Sequence, residues 1–256
     1  MTSINTSNTS KNDYTSEDTV IKWKIIESRV EPNKSVSLST LPQKHKDLLK
    51  ALSIVGVMGS AQMKDIFFKK NKKHISMAKD FGLVEQHMLI RNGKAIPVYT
   101  LGVTGVALQK QLGGTKPLNY WQNFTVDDVM KCIVTYQLFG RYRQISDTYL
   151  EDNTKFTPFQ AEFASPYAKG ISKYSIATLR SVQDISTFET YFRIGQNIPQ
   201  RMIFIVTDLG LIDKLQNVLK PHLKYVRAVI DVDLKQSVEF KNMFYAFDNQ
   251  NQCWKK

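Results

Sequence analysis

The sequence predicts a mixed α/β protein, α+β overall, in which a winged helix-turn-helix precedes a mixed, largely parallel α/β domain. Three observations predict it. Apolar residues recur at helical spacing from residue 41, an Asn-Gly pair then separates two strand-like segments, and strands alternate with single helices in the C-terminal half. Single-helix connections imply crossovers between parallel strands. The 256 residues, 42% of them hydrophobic, suffice for two cores.

The expected division has three parts: a disordered tail and linker at 1–40, the winged helix-turn-helix at 41–114 and the α/β domain at 115–256. Residues 1–18 are almost entirely polar and bury too little apolar surface to offset the entropy of ordering. Residues 19–30 fit a strand or a short helix equally well. Residues 31–40, with one proline and several serines, are typical of a linker.

Three helices and a hairpin account for residues 41–101. The first helix begins at Pro42 and ends at Gly56, and Ser60 is expected to cap the second. Asn71 is expected to cap a third helix that runs to about Phe81. Gly82 then ends that helix, as glycine commonly does at the position after a helix.

The hairpin forms the predicted wing. Strand Val84 to Ile90 leads into Arg91-Asn92-Gly93-Lys94, which predicts a type I′ turn, and the return strand runs from Ala95 to Leu101. Pro97 predicts that the return strand lies at an edge. A further helix from Gly105 to Leu112 completes the module.

The second domain begins with a long amphipathic helix that Thr125 caps and Gly140 ends. Alternating elements follow: strands Lys173 to Ser181, Arg201 to Thr207 and Tyr225 to Val232, helices Ile185 to Ile194 and Leu209 to Leu219, and an outer strand in Val238 to Phe247.

Positive charge is concentrated in the first module. The chain carries a net charge of +12, and residues 41–101 hold eleven Lys and Arg against four acids, or +7. Such a footprint is typical of a protein that binds the phosphate backbone. The outward residues of the third helix are expected to enter the major groove, with the wing tip on a neighbouring phosphate or in the minor groove. The candidate DNA-binding residues are Ser60, Lys69, Lys70, Asn71, Lys72, Lys73, His74, Ser76, Lys79, Arg91, Asn92 and Lys94.

Taken singly, the lysine cluster and the Asn-Gly turn are more often a solvated turn and an ordinary hairpin. Their occurrence together, in the right order on the most basic segment, favours DNA binding. Phe139 to Arg143 alternates aromatic and basic residues, as single-stranded DNA binders do, but a helix C-terminus with cations suited to its dipole is the preferred interpretation.

No catalytic site is predicted. A metal-dependent nuclease needs carboxylates and a lysine on neighbouring strands, and the strand from Lys173 contains no acid. Glu162 has no lysine at a matching spacing. Asp231 and Asp233 alternate at a strand end, where acids are more often solvated. Known nucleotide, hydrolase and zinc-protease motifs are absent from the sequence.

Metals and membranes are not expected either. The two cysteines and four histidines lack metal-site spacing, and each histidine is expected to be an ordinary surface residue. The sequence has neither a membrane-spanning run nor a signal peptide, so a cytoplasmic location is expected.

Residues 41–235 resemble the replication-relaxation family of plasmid and mobile-element proteins. The resemblance lies in LPQKHKDLLKALSIVGVMGSAQMKDIFF, in Gly82-Leu83-Val84, in VYTLGVTGVAL and in RMIFIVTDLGLIDKLQNVLK. It implies a winged helix, a C-terminal domain like a degenerate restriction-endonuclease sheet, and a role in plasmid replication or mobilisation. Where members carry an acidic strand this chain has YSIATLRS, which argues further against a nuclease.

The expected function is therefore that of a DNA-binding accessory protein of plasmid replication, mobilisation or maintenance, without catalysis or cofactor. Its expected partners are double-stranded DNA, a second copy through residues 115–256, and other plasmid replication or mobilisation proteins. The alternatives are a transcriptional repressor of a mobile element, a metal-dependent nuclease or nickase, and an adaptor whose winged helix binds protein.

Overall fold

The chain folds into two β-sheets with helices packed on both, a mixed α/β architecture. The structure, a computed structural model, describes residues 19–27, 29–69, 71–152, 158–167, 170–195, 197–235 and 238–256. The expected tail, residues 1–18, lies outside the described residues. No helix in the described ranges is long and apolar enough to cross a bilayer.

The first sheet has four antiparallel strands in the order β1-β3-β4-β2. These are β1 (Thr19–Lys22), β2 (Met58–Gly59), β3 (Val84–Arg91) and β4 (Lys94–Leu101). Residues 19–22, for which strand and helix were both possible, form a strand. Its partner is β3, so the predicted two-stranded wing has a third strand beside it.

Four helices pack around this sheet in the predicted order. They are α1 (Gln43–Val55), α2 (Ser60–Gln62), which continues as a π-helical turn to Phe67, α3 (Lys72–Asp80), and α4 (Val103–Gln109), which continues as a 3-10 turn to Leu112. Gly59 occupies the cap position of α2, and Ser60, the first helical residue, makes no capping hydrogen bond, so the predicted Ser60 cap is wrong.

Pro97 was expected on an edge strand, and β4 is unpaired with β2 at Pro97 although it is not an edge strand along its whole length. Strand β4 lies between β3 and β2, but β2 pairs with it only at Val98 and Tyr99. Pro97 lies just outside those two pairs. That side of the strand therefore does not need the N–H that proline lacks.

The second sheet has seven strands in sequential order. They are β5 (Tyr149–Glu151), β6 (Ala161–Tyr167), β7 (Gly170–Leu179), β8 (Met202–Val206), β9 (Val226–Ile230), β10 (Phe244–Asp248) and β11 (Cys253–Lys255). Among the described strands, β8 is parallel to β7 and to β9, and the other neighbouring pairs are antiparallel. The prediction of a largely parallel sheet is therefore wrong, because hairpins extend the parallel centre on both sides. The predicted outer strand begins at Phe244, and β11 lies outside it.

Helices cover both faces of the second sheet. Helix α5 (Val126–Arg143) packs on one face, and α6 (Val182–Ile194), α7 (Leu209–Asp213) and α8 (Gln216–Leu219) pack on the other. Strand residues alternate accordingly: Ile203 and Ile205 lie in the core with α5, and Phe204 lies in the core with α6 to α8. The single helix predicted over 209–219 is two short helices.

Helix α5 begins as predicted and ends later than predicted. Thr125 and Asp128 form a reciprocal capping box. Gly140 does not end the helix, which continues to Arg143. A Cβ at Gly140 would lie 3.2 Å from Ile66 Cγ1, so glycine lets the π-helical turn approach α5 closely.

The segment that joins the two sheets is packed against both. Trp121 is fully buried, and the Tyr120 hydroxyl donates to the Gly56 carbonyl at 2.5 Å. One continuous core extends from α1 through α5 to the second sheet. Residues 31–40, the expected linker, have no helix or strand at their described positions, but Val36 is buried in this core.

Candidate nucleic-acid interface

Helix α3 presents a short row of exposed lysines. The Asn71 side chain caps the helix by accepting the Lys73 N–H at 3.0 Å. Ala78 is fully buried, while Lys72, Lys73, Ser76 and Lys79 are exposed. The predicted outward face of this helix is thus an exposed, positively charged face.

His74 does not share that face. Its ring stacks on Phe68 at 5.5 Å between centroids, contacts His45 edge-on at 5.4 Å, and lies against the Lys44 ammonium. Burial lowers the pKa of His45 and of His74, and the positive charge of Lys44 lowers both further. The lowered pKa values favour the neutral form of both rings, which pack between α1 and α3, with His45 buried and His74 half-buried.

The turn before α3 is only partly described. Lys69 is exposed and has a left-handed backbone with φ of 45°, and Phe68 beside it is 2% exposed and anchors the turn. Lys70, also predicted to bind DNA, lies outside the described residues. Ser60 is half-buried at the start of α2.

The turn of the β3–β4 hairpin has the predicted geometry. Asn92 and Gly93 have φ of 48° and 70°, as a type I′ turn requires at both central positions. Arg91 pairs with Lys94 across the turn, which places two cations at the tip. Lys94 is exposed and Arg91 half-buried.

A hydrogen bond connects the exposed face of α3 to the β3–β4 hairpin. The Lys79 ammonium donates to Gln86 Oε1 on β3 at 2.9 Å. Lys72, Lys73 and Lys94 make no ion pair with any residue that the structure describes. Their charge is therefore available to an external anion.

His87 packs strand β3 against neighbouring segments of the chain. It is 1% exposed and accepts the Lys24 N–H at Nδ1, 3.0 Å away, and its Nε2 lies 2.8 Å from Thr100 Oγ1. Its ring also contacts Trp23 and Trp121, each at 4.9 Å. Burial lowers the pKa of His87 to about 4. The prediction that each histidine is a surface residue is wrong for His87 and for His45, which is fully buried.

A second charged cluster lies at the carboxyl ends of the parallel strands. Arg180, directly after β7, is 3% exposed and binds Asp127 at 3.0 Å and Asp231 at 3.2 Å. Lys131 binds Asp127 at 2.9 Å and Asp184 at 2.5 Å. The cluster joins the start of α5 to the ends of β7 and β9 and to the start of α6.

These contacts shift the pKa values of the carboxylates. Burial alone would raise the pKa of Asp184, but hydrogen bonds from Lys131 and from the Arg180 N–H bring it below its ordinary value. Burial raises the pKa of Asp231 despite Arg180. The interpretation of Asp231 and Asp233 as solvated residues is wrong, because they are 2% and 8% exposed and Asp233 pairs with Lys256 at 3.0 Å.

The acids of the antiparallel strands are also paired. Lys173 on β7 contacts Glu162 on β6 at 3.3 Å and, more closely, Glu151 on β5. The spacing along the sequence did not predict that Lys173 lies near Glu162, because the two residues are on neighbouring strands. Within the described residues, no group of three or more His, Cys, Asp or Glu is placed to hold a metal ion.

The sequence predicted the exposed lysines and the β3–β4 hairpin but not the buried charges. The lysines were predictable because they are neighbours in the sequence. Arg180, in contrast, is about fifty residues from Asp127 and about fifty from Asp231 along the chain. No local pattern marks such pairs. No protein-family model, no curated protein and no solved structure matches this chain.

Proposed function

We propose that the protein binds double-stranded DNA through a winged helix made of α1 to α3 and the β3–β4 hairpin. The observation that carries the proposal is the row of exposed lysines on α3, together with two cations at the tip of the β3–β4 hairpin. Of these lysines, Lys72 and Lys73 make no ion pair with any described residue. The element order helix, strand, helix, helix, strand, strand supports the winged-helix assignment.

In this proposal, α3 enters the major groove and the wing reaches the adjacent backbone. Ser76 and Lys79 lie on the exposed face of α3, which would enter the groove, and a hydroxyl or an ammonium can contact base edges there. Lys72 and Lys73, at the N-terminal end of the helix, face phosphates, which also favour backbone N–H groups at that end. Lys94 extends the contact from the wing.

The test is a fluorescence-anisotropy titration of labelled duplex at two salt concentrations. Log affinity should fall by about 0.9 per phosphate contact per decade of salt. The Lys72→Glu/Lys73→Glu variant should lose binding. The control is Arg193→Glu/Lys214→Glu, which makes the same charge change at exposed positions in the helical layer beyond the second sheet.

Equal loss of binding in both variants would mean that net charge, and not α3, determines binding. Tight binding by the Lys72→Glu/Lys73→Glu variant would contradict the proposal. Capture of a protein partner that salt does not weaken, with no DNA binding, would favour the adaptor alternative.

We infer further that the protein is an accessory or regulatory factor of a mobile element, as the resemblance to the replication-relaxation family implies, and that it acts in the cytoplasm. The order α5, three antiparallel strands, α6 and parallel β8 supports a restriction-endonuclease-like second half. The proposal includes no catalysis, because this chain has YSIATLRS where members of that family carry an acidic strand. Mg²⁺-dependent cleavage of supercoiled plasmid would contradict it.

A homodimer through residues 115–256 belongs to the same proposal. One small module makes few phosphate contacts, and a second copy would add a second half-site. Sedimentation of the full chain should show a dimer on DNA. A monomer at micromolar concentration, both with and without DNA, would count against it.

A further inference from the structure

A pocket with an aromatic floor and a cationic rim opens at the amino ends of the parallel strands β7, β8 and β9. Its volume is about 310 Å³, at the small end of the range for small-molecule sites. We name it the Tyr174 pocket and define it by Tyr142, Tyr174, Phe244, Arg201, Lys224 and Arg227. It lies at the opposite end of these strands from the buried Arg180 cluster.

The floor consists of rings that other rings hold in place. Tyr142 is 7% exposed and contacts Tyr174 at 5.9 Å and Phe244 at 6.1 Å between ring centroids. Tyr174 and Phe244 are half-buried, so part of each ring faces the pocket. A rigid aromatic floor of this kind suits a flat ligand.

The rim carries three cations. Arg201 lies over the Tyr174 ring at 5.8 Å and donates to Ser172 Oγ at 2.8 Å. Arg227 donates to the backbone carbonyls of Lys224 and Val226, and the Lys224 ammonium lies over the Tyr225 ring at 5.6 Å. No described residue pairs a carboxylate with any of the three cations, and no acid lines the pocket.

We propose that the Tyr174 pocket binds a nucleoside phosphate, with the base on the aromatic floor and the phosphate on Arg201, Lys224 and Arg227. An anion is favoured because three cations surround an apolar floor without a counter-charge in the described part of the chain. A base is favoured because aromatic rings and guanidinium planes are the surfaces on which unpaired bases stack. Arginine also provides the fork geometry that matches phosphate oxygens.

The ligand has two possible sources, a free mononucleotide or a nucleotide within a single DNA strand. The proposal does not rest on duplex binding by α3, because the two surfaces share no residue. Calorimetric titrations of the full chain with dAMP, deoxyadenosine, inorganic phosphate and a five-residue single-stranded oligodeoxyadenylate identify the source. Repeating them in the Lys72→Glu/Lys73→Glu variant removes any contribution from α3.

The expected result is that dAMP binds at least about tenfold more tightly than deoxyadenosine or phosphate. Equal affinities for dAMP and the oligonucleotide support a mononucleotide site, and a tighter oligonucleotide supports a strand segment. Lys224→Gln/Arg227→Gln should lower the affinity for dAMP at least fivefold. Phe244→Leu should also lower it, because stacking on the ring is lost, and stacking is worth roughly five- to 150-fold in affinity per base.

The matched control is Arg193→Gln/Lys214→Gln, which removes two exposed charges away from the pocket and should leave dAMP affinity unchanged. Far-UV circular dichroism checks that each variant is folded. Three outcomes would overturn the proposal: no binding of dAMP at millimolar concentration, phosphate alone binding as tightly as dAMP, or unchanged affinity in the folded Lys224→Gln/Arg227→Gln variant.

Discussion

His87 on β3 connects the segment after β1, strand β4 and the segment that joins the two sheets. Its Nδ1 accepts the Lys24 N–H, so the ring proton is on Nε2, which donates to Thr100 Oγ1. A second proton would have to lie on Nδ1, directly opposite the Lys24 N–H. The hydrogen bonds that hold β3 to β4 and to the segment after β1 therefore need the neutral form of the ring.

Acidification should therefore destabilise the protein. The pKa of His87 is about 4 in the folded chain, against 6.5 unfolded, so the unfolded chain binds more protons between these values. The contribution of neutral His87 to the free energy of unfolding is fully present above pH 6.5. It falls as the pH drops towards 4, by up to about 3 kcal/mol. Urea unfolding followed by tryptophan fluorescence at about pH 7.5 and pH 5 measures the loss.

The His87→Gln variant should show a smaller difference between the two pH values, because glutamine does not titrate. A residual slope is expected, since the lowered pKa values of His45 and His74 act in the same direction. His222→Gln is the control, at a half-buried position in the second half. An unchanged pH dependence in His87→Gln would contradict the assignment.

The histidines also show what a sequence leaves open at this scale. Nothing local distinguishes His74, half-buried between α1 and α3, from the lysines beside it, because its position depends on where α1 packs. The exposed lysines were predictable because a charged side chain in a polar stretch remains in solvent wherever the helix packs.

At the scale of elements, Gly82 joins α3 to the wing. Its φ is 65°, and its carbonyl accepts the N–H groups of Thr104 and Gly105 at 3.1 and 3.2 Å. A Cβ there would lie 3.1 Å from Thr104 Oγ1. Both the backbone conformation and the contact with the start of α4 therefore favour glycine.

Gly82→Ala should lower the free energy of unfolding by about 1–2 kcal/mol from the left-handed backbone alone, with the Thr104 contact adding to it. The melting temperature should fall by about 2–8 °C for a chain of this size. Gly93→Ala separates the two effects, because Gly93 has φ of 70° but nothing within 4 Å of its Cβ position. A larger loss in Gly93→Ala than in Gly82→Ala would refute the contact argument.

Elements with a capping residue and a periodic apolar face were predicted well, and short strands were not. The Thr125 cap of α5 and the Asn71 cap of α3 are local hydrogen bonds that a few residues determine. Strands β5 and β11 have three residues each, too few for an alternation to be visible. Gly140 was wrongly predicted to end the helix. A glycine stands there because Ile66 approaches α5 closely, and the local sequence does not show such a long-range contact.

At the scale of the whole molecule, the expected boundary near residue 114 is a packed junction. Helix α5 contacts the first module through Cys132, whose thiol donates to the Val55 carbonyl at 3.0 Å, and the second sheet through Phe139, whose ring lies 5.4 Å from that of Phe163. The sequence predicted two units because composition and periodicity change there. It could not show that one helix fills the cores of both.

The shared core predicts that the chain unfolds in one cooperative transition. Leu48 of α1, Tyr136 of α5 and Ile203 of β8 belong to one buried cluster, so opening either half exposes apolar surface of the other. In a Trp254→Phe variant, fluorescence comes from Trp23 and Trp121, near the first sheet, whereas far-UV circular dichroism reports on all helices. Both signals should change at the same urea concentration. A fluorescence midpoint at clearly lower urea than the circular-dichroism midpoint would mean that the first module unfolds by itself and that α5 does not couple it to the second sheet.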